Sequence, residues 1–208
     1  MSRQRIIQFR SSPTHPPRIV IEQILDGFIQ RLDYLTDRHS QVSVCHFTLY
    51  LPITKDTVGS HFAGMCLTLV RRKLKSMGIE SQAGWVREVS VNEHEHFHVG
   101  FLWDSSKIQS AVKIGNMLNE QFADTLRLPA HYRCVNVNPP NPLLDCQFDL
   151  NVRSNKTIKI RKGYPGFQKQ KDNIIAWLAY LAKVTTKGSY DERYVREFGF
   201  SFCNRKGK

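Results

Sequence analysis

Apolar residues recur at Ile21, Ile24, Leu25, Phe28, Leu32 and Leu35, a three-and-four spacing that lines one face of a helix with Pro16-Pro17 at its entrance. The period then changes. Gln41 to Leu51 carries Val42, Val44, Phe47, Leu49 and Leu51, is rich in β-branched and aromatic residues, and ends at Pro52, as a buried strand does. A second helical pattern runs from about Gly59 to Met77 and stops at Gly78, with Arg71, Arg72, Lys73 and Lys75 near its C-terminus, where cations suit the dipole. Ala83 to Val91 and His96 to Trp103 read as two strands joined by the polar turn Asn92 to Glu95. A third helix follows, capped by Asp104 or Ser105, with Ile108, Ala111, Val112, Leu118 and Phe122 on its apolar face; a fourth lies after Asp172. Between them, Val135 to Lys162 contains Asn138-Pro139-Pro140-Asn141-Pro142 and short runs such as Thr157 to Ile160, which predicts a long loop with weak edge strands.

This order of elements predicts an α+β domain: an antiparallel sheet with helices mainly on one face and the other face open for a substrate. At 208 residues the length favours one domain, residues 41–208, preceded by an N-terminal helical extension, residues 1–40. Lys and Arg outnumber Asp and Glu by 30 to 18, a net charge of +12 that points to an anionic partner, nucleic acid first. No stretch approaches the ~18 apolar residues of a membrane span, and the N-terminus lacks a signal-peptide core, which predicts a cytosolic protein. The five cysteines are scattered without a Cys-x-x-Cys pair, so neither a disulfide framework nor a zinc knuckle is expected.

Two short motifs carry chemistry. In a strand, His96 and His98 share a face and can offer two imidazoles to one cation, while Phe97 between them turns into the core. A third donor is expected on the same face. Glu88, on the preceding strand, meets His98 if three or five residues separate the strands, whereas a two-residue turn sends it to the other side; His94 shares the histidines' parity and is the fallback. Two imidazoles and a carboxylate suit a divalent ion: Mg²⁺ or Mn²⁺ for phosphate chemistry, Fe²⁺ for oxygen chemistry, with the basic composition favouring phosphate. Of the remaining histidines, His46 lies in a strand that can approach this site.

In the fourth helix, Tyr180 and Lys183 stand three residues apart, off the stripe formed by Ile174, Trp177, Leu178 and Leu181. A phenol titrates near pH ~10, so its attack on a phosphodiester needs a cation close to the reacting oxygens. Lys183 and the metal supply it. Trp85, Trp103 and Tyr50 are rings on which splayed bases can stack, beside a basic groove that follows the phosphates.

His96-Phe97-His98 followed by Tyr180-Leu181-Ala182-Lys183 resembles the signature of HUH endonucleases, the rolling-circle initiators and relaxases that nick single-stranded DNA. Phe47-Thr48-Leu49-Tyr50-Leu51-Pro52 resembles the initiators' first motif, and Trp85-Val86-Arg87-Glu88, His96-Phe97-His98-Val99-Gly100-Phe101 and Tyr180-Leu181-Ala182-Lys183-Val184-Thr185-Thr186-Lys187 are most similar to the inovirus replication-protein group. The resemblance implies a ferredoxin-like or RRM-like palm. It also implies that Tyr180 attacks the scissile phosphate and stays joined to the 5′-phosphate, with His96, His98 and Glu88 on the metal, Lys183 assisting, and Arg87, Lys187 and Trp85 against the DNA. The implied partners are single-stranded DNA at a replication origin, a hairpin among its forms, and a host helicase and polymerase. Val184 occupies the place of a second tyrosine, which implies a single-tyrosine enzyme. Two other readings compete: a binding protein of the same fold that regulates without cutting, and a histidine-triad nucleotide hydrolase, against which Glu95 stands where that family's pattern wants an apolar residue.

Overall fold

Side-chain alternation along one central strand divides the molecule. The computed structural model describes residues 5–10, 18–50, 60–89, 95–129, 132–138, 157–183 and 198–203. Its six-stranded antiparallel sheet runs in the order β6 (Val135–Asn138), β3 (Gln41–Tyr50), β5 (Glu95–Asp104), β4 (Ser81–Val89), β8 (Phe198–Phe200). The sixth strand, β7 (Ile158–Arg161), pairs with residues 41–44 of β3, end to end with β6, which pairs with residues 46–49. The α+β class and the antiparallel sheet are as the residue pattern predicts, and the arrangement is consistent with the palm that the resemblance implies.

Odd-numbered side chains of the central strands, among them Phe47, Phe97, Phe101 and Trp103, pack in one core with α2 (Ser60–Ser76) and α3 (Ala111–Thr125). Even-numbered Val42, Val44, Val86 and Leu102 pack in a second core with α1 (Glu22–Arg38) and α4 (Phe167–Leu181). The helices therefore divide between the two faces rather than lying mainly on one. On the second face the apolar positions fill only half of the sheet. Beyond Val44 the even positions of β3 become His46, Thr48 and Tyr50, and those of β5 next to them are His96 and His98. This polar half is where chemistry can occur.

The N-terminal residues are not an appended helix. β1 (Ile6–Phe9) and β2 (Arg18–Ile21) form a two-stranded ribbon, and the chain passes from β2 directly into α1, whose Ile24, Leu25, Phe28, Leu32 and Leu35 are buried in the second core. The residues after the prolines are extended because Arg18–Ile21 finds a strand partner before the helix starts. The ribbon also braces the end of α4: the Ile21 amide donates to the Ala182 carbonyl at 2.8 Å, and Val20 forms a bridge with Lys183.

Other boundaries follow local chemistry. α2 ends in a Schellman turn, with Ile79 N–H donating to Leu74, Gly78 N–H to Lys75, and Gly78 at φ +70. Asp104 and Ser105 do not cap α3. Asp104 accepts from the amide and hydroxyl of Ser106 instead, the helix begins at Ala111, and Val112 is exposed. α4 begins at Phe167, before Asp172, and the described ends of the 135–162 segment are the edge strands β6 and β7.

α1 docks onto the sheet through Phe28, which lies over the cross-strand pair Gly84 and Gly100. A Cβ on Gly100 would lie 2.5 Å from the ring of Phe28, and one on Gly84 2.7 Å from it. Burying such a ring stabilises by roughly 1.5–3 kcal/mol. A valine at Gly100 gains up to ~1 kcal/mol of strand propensity, but its methyls would drive Phe28 and Leu178 off the sheet. Gly100→Val is expected to destabilise by about 1–3 kcal/mol, read as a lower urea midpoint at unchanged m-value.

Candidate metal centre

Glu88 and His96 are cross-strand partners in the β4–β5 pair, and His98 lies two residues along, opposite Val86. Residues 90–94 separate the strand ends, so the odd spacing puts Glu88 on the histidines' face, as the sequence requires, but opposite His96 rather than His98. The carboxylate nevertheless leans along the diagonal. Glu88 Oε2 stands 2.8 Å from His98 Nε2 and 3.7 Å from His96 Nε2, and the three side chains are only 12–17% exposed. One donor atom from each lies within 4.8 Å of the others, so Glu88, His96 and His98 form a group that can hold a metal ion. The fallback ligand His94 lies outside the described residues. Phe97 is fully buried on the opposite face, as alternation demands.

Behind the ligands runs a row of polar groups. His98 Nδ1 is 2.9 Å from His46 Nε2 and 3.4 Å from Thr48 Oγ1, and Asn138 Nδ2 is 3.3 Å from His46 Nε2 and 2.6 Å from Thr48 Oγ1. Strand register assembles it. Asn138 pairs with His46 across β6 and β3, while His46 faces Gly100 on β5, two residues along from the Thr48–His98 pair. Burial holds the His46 imidazole well below the usual histidine range; neighbouring His98 pushes the same way and Glu88 opposes it. His46 is therefore neutral at pH 7. Thr48 and Asn138 were not expected at the site. The available signal was the alternation of polar residues, 46 and 48 in the otherwise apolar stretch Val44 to Leu49 and Asn136 and Asn138 beside Val135 and Val137.

Tyr180 arrives from the last turn of α4. Its ring centroid is 6.2 Å from that of His46, as is the ring of Trp177 one turn earlier. Thus two motifs far apart in the chain meet at His46. Lys183 lies just past the helix end, where its ammonium sits 4.3 Å from the centre of the Tyr180 ring. Tyr180 is half-buried against the second core, not free on the helix surface.

The expected DNA-contacting residues separate. Trp85 and Arg87 occupy odd positions of β4, on the side opposite Glu88; the partly buried Trp85 ring packs edge-on with Phe97, against the first core. Trp103 is fully buried and donates its indole N–H to the Ile108 carbonyl. Lys187 and Val184 lie outside the described residues. Tyr50, by contrast, is 47% exposed and stacks on the ligand His96 at 26° between planes.

Among the described residues no helix is long and apolar enough to cross a membrane. No protein-family model, curated protein or solved structure matches the chain.

Proposed function

We propose that this chain is a metal-dependent, site-specific endonuclease and strand transferase that starts rolling-circle replication on single-stranded DNA, through a 5′-phosphotyrosine on Tyr180. One observation supports this above the rest: the Tyr180 ring lies 6.2 Å from His46, itself 2.9 Å from the ligand His98. A phenol beside a cation site, in a chain of net charge +12, suits attack on a phosphodiester. The order of the motifs agrees with the resemblance to HUH initiators of the inovirus group.

The donor set fits Mg²⁺ or Mn²⁺. It contains a hard carboxylate oxygen and two imidazoles on one face of the sheet. Glu88, His96 and His98 would hold the ion, which would supply Lewis-acid polarisation of the scissile phosphate. The Tyr180 hydroxyl attacks phosphorus, its O–P bond forming as the bond to the 3′ oxygen breaks; the phenol loses its proton and the departing oxygen gains one as a 3′-hydroxyl. Lys183 adds positive charge beside the phenol. Tyr50 offers an exposed face to an unstacked base next to the metal ligands. Extension from the 3′-hydroxyl falls to a host helicase and polymerase in the bacterial cytoplasm.

The test is direct. Full-length protein is incubated with Mn²⁺ and a 3′-labelled random-sequence library of single-stranded DNA, then run under denaturing conditions. A labelled band at the position of a protein–DNA adduct, absent with EDTA, is the expected result. Tight DNA binding with no adduct in any divalent metal would overturn the nuclease reading in favour of a regulator that binds without cutting.

A further inference from the structure

Asn138 fixes a direction in the polar row behind His98. A primary amide nitrogen carries two hydrogens and accepts none. Asn138 Nδ2 has two neighbours to receive them, Thr48 Oγ1 at 2.6 Å and His46 Nε2 at 3.3 Å. His46 Nε2, facing that donor, presents its lone pair, which leaves the ring's hydrogen on Nδ1. The 2.9 Å contact between His46 and His98 consequently runs one way, with His98 Nδ1–H donating to His46 Nε2. Thr48 Oγ1, 3.4 Å from the same His98 Nδ1, faces it as a second acceptor.

With its hydrogen on Nδ1, His98 can offer a bare Nε2, the atom 2.8 Å from Glu88 Oε2. Two lone pairs at that separation repel unless a proton or a cation lies against both. The opposite polarity, with His46 donating, would put the hydrogen on His98 Nε2 and make Glu88 and His98 a plain structural pair. We propose that His46 and Asn138 are positioning residues that hold His98 in the Nδ1–H form and so dedicate its Nε2 to the metal. The assignment rests on reading Glu88, His96 and His98 as a cation site. It gives His46 a role that is neither ligand nor catalyst, and it uses three adjacent strands: donor on β6, acceptor on β3, ligand on β5. Such outer partners typically change metal affinity 10–100-fold.

Two measurements on the full chain test it. In ¹⁵N-histidine-labelled wild-type protein, long-range ¹H–¹⁵N spectra without metal and with Mg²⁺ are expected to show a hydrogen on His98 Nδ1 and none on His46 Nε2. A His98 protonated only on Nε2 in the metal-free protein overturns the assignment, and no variant need fold for that result. In Mn²⁺ titrations, His46→Leu is expected to weaken binding by about 10–100-fold. His46→Gln, whose amide oxygen accepts the same hydrogen, is expected to restore most of it. If both variants bind Mn²⁺ like wild type and differ only in metal-free melting, His46 merely packs and the proposal falls. Wild-type protein that binds no Mn²⁺ sinks the cation site itself, whereas Mn²⁺ binding with reversed polarity sinks this inference alone.

Discussion

Tyr180→Phe is expected to lower covalent adduct formation by about 10⁴-fold or more while single-stranded DNA binding stays within about twofold of wild type. The substitution deletes one oxygen and keeps the ring that packs beside His46 and against the second core. Near-isosteric changes of this kind cost less than ~1.5 kcal/mol of stability, so the fold survives. The Lys183 ammonium keeps its aromatic partner, since a phenylalanine face attracts a cation as a tyrosine face does. Binding and chemistry should therefore separate cleanly, one measured by fluorescence anisotropy and the other by the denaturation-resistant band. Adduct formed at the wild-type rate by the phenylalanine variant would move the nucleophile elsewhere, with Tyr190 and Tyr194 next in the sequence.

What made this site legible was parity. In an extended chain residue number decides the face, so His96 and His98 had to point together and Glu88 could join them only for an odd spacing between the strands. The same rule separates Trp85 and Arg87 from Glu88, because they are odd-numbered on a strand whose even positions line the site. What the sequence could not reveal depends on contacts remote along the chain. β1, β2 and β8 have three or four residues each, too few for a period to show, and they are strands because of what they pair with. Asn138 precedes two prolines and reads as the start of a loop; only the register of β6 against β3 sets it beside His46. Likewise, an amphipathic helix declares that it covers an apolar surface but not which face of the sheet it covers. α1 is placed by Phe28 finding Gly84 and Gly100, a fit between residues that no local pattern connects.

Glu88→Gln provides the second large effect, because it removes the sole anionic donor from the metal trio while preserving its shape. Two imidazoles with a neutral amide suit softer ions better than Mg²⁺ or Mn²⁺, which rely on charged oxygen donors. Adduct formation in Mn²⁺ is expected to fall at least about 100-fold. Metal binding gives a readout independent of DNA. A ligand at 100 times its Kd stabilises a folded protein by about 2.7 kcal/mol, so wild-type protein should melt at a higher temperature in Mn²⁺ than in EDTA, and the variant should lose most of that difference. The opposing effect is small: without metal, the carboxylate contacts half-buried imidazoles at 2.8 and 3.7 Å, and an amide can still hydrogen-bond to one of them. The loss should therefore appear in the metal-dependent shift rather than in the metal-free melting temperature. A variant that retains the full Mn²⁺ shift would exclude Glu88 from the centre. A matching loss in His94→Ala would then identify the third ligand, since His94 shares the parity of His96 and His98.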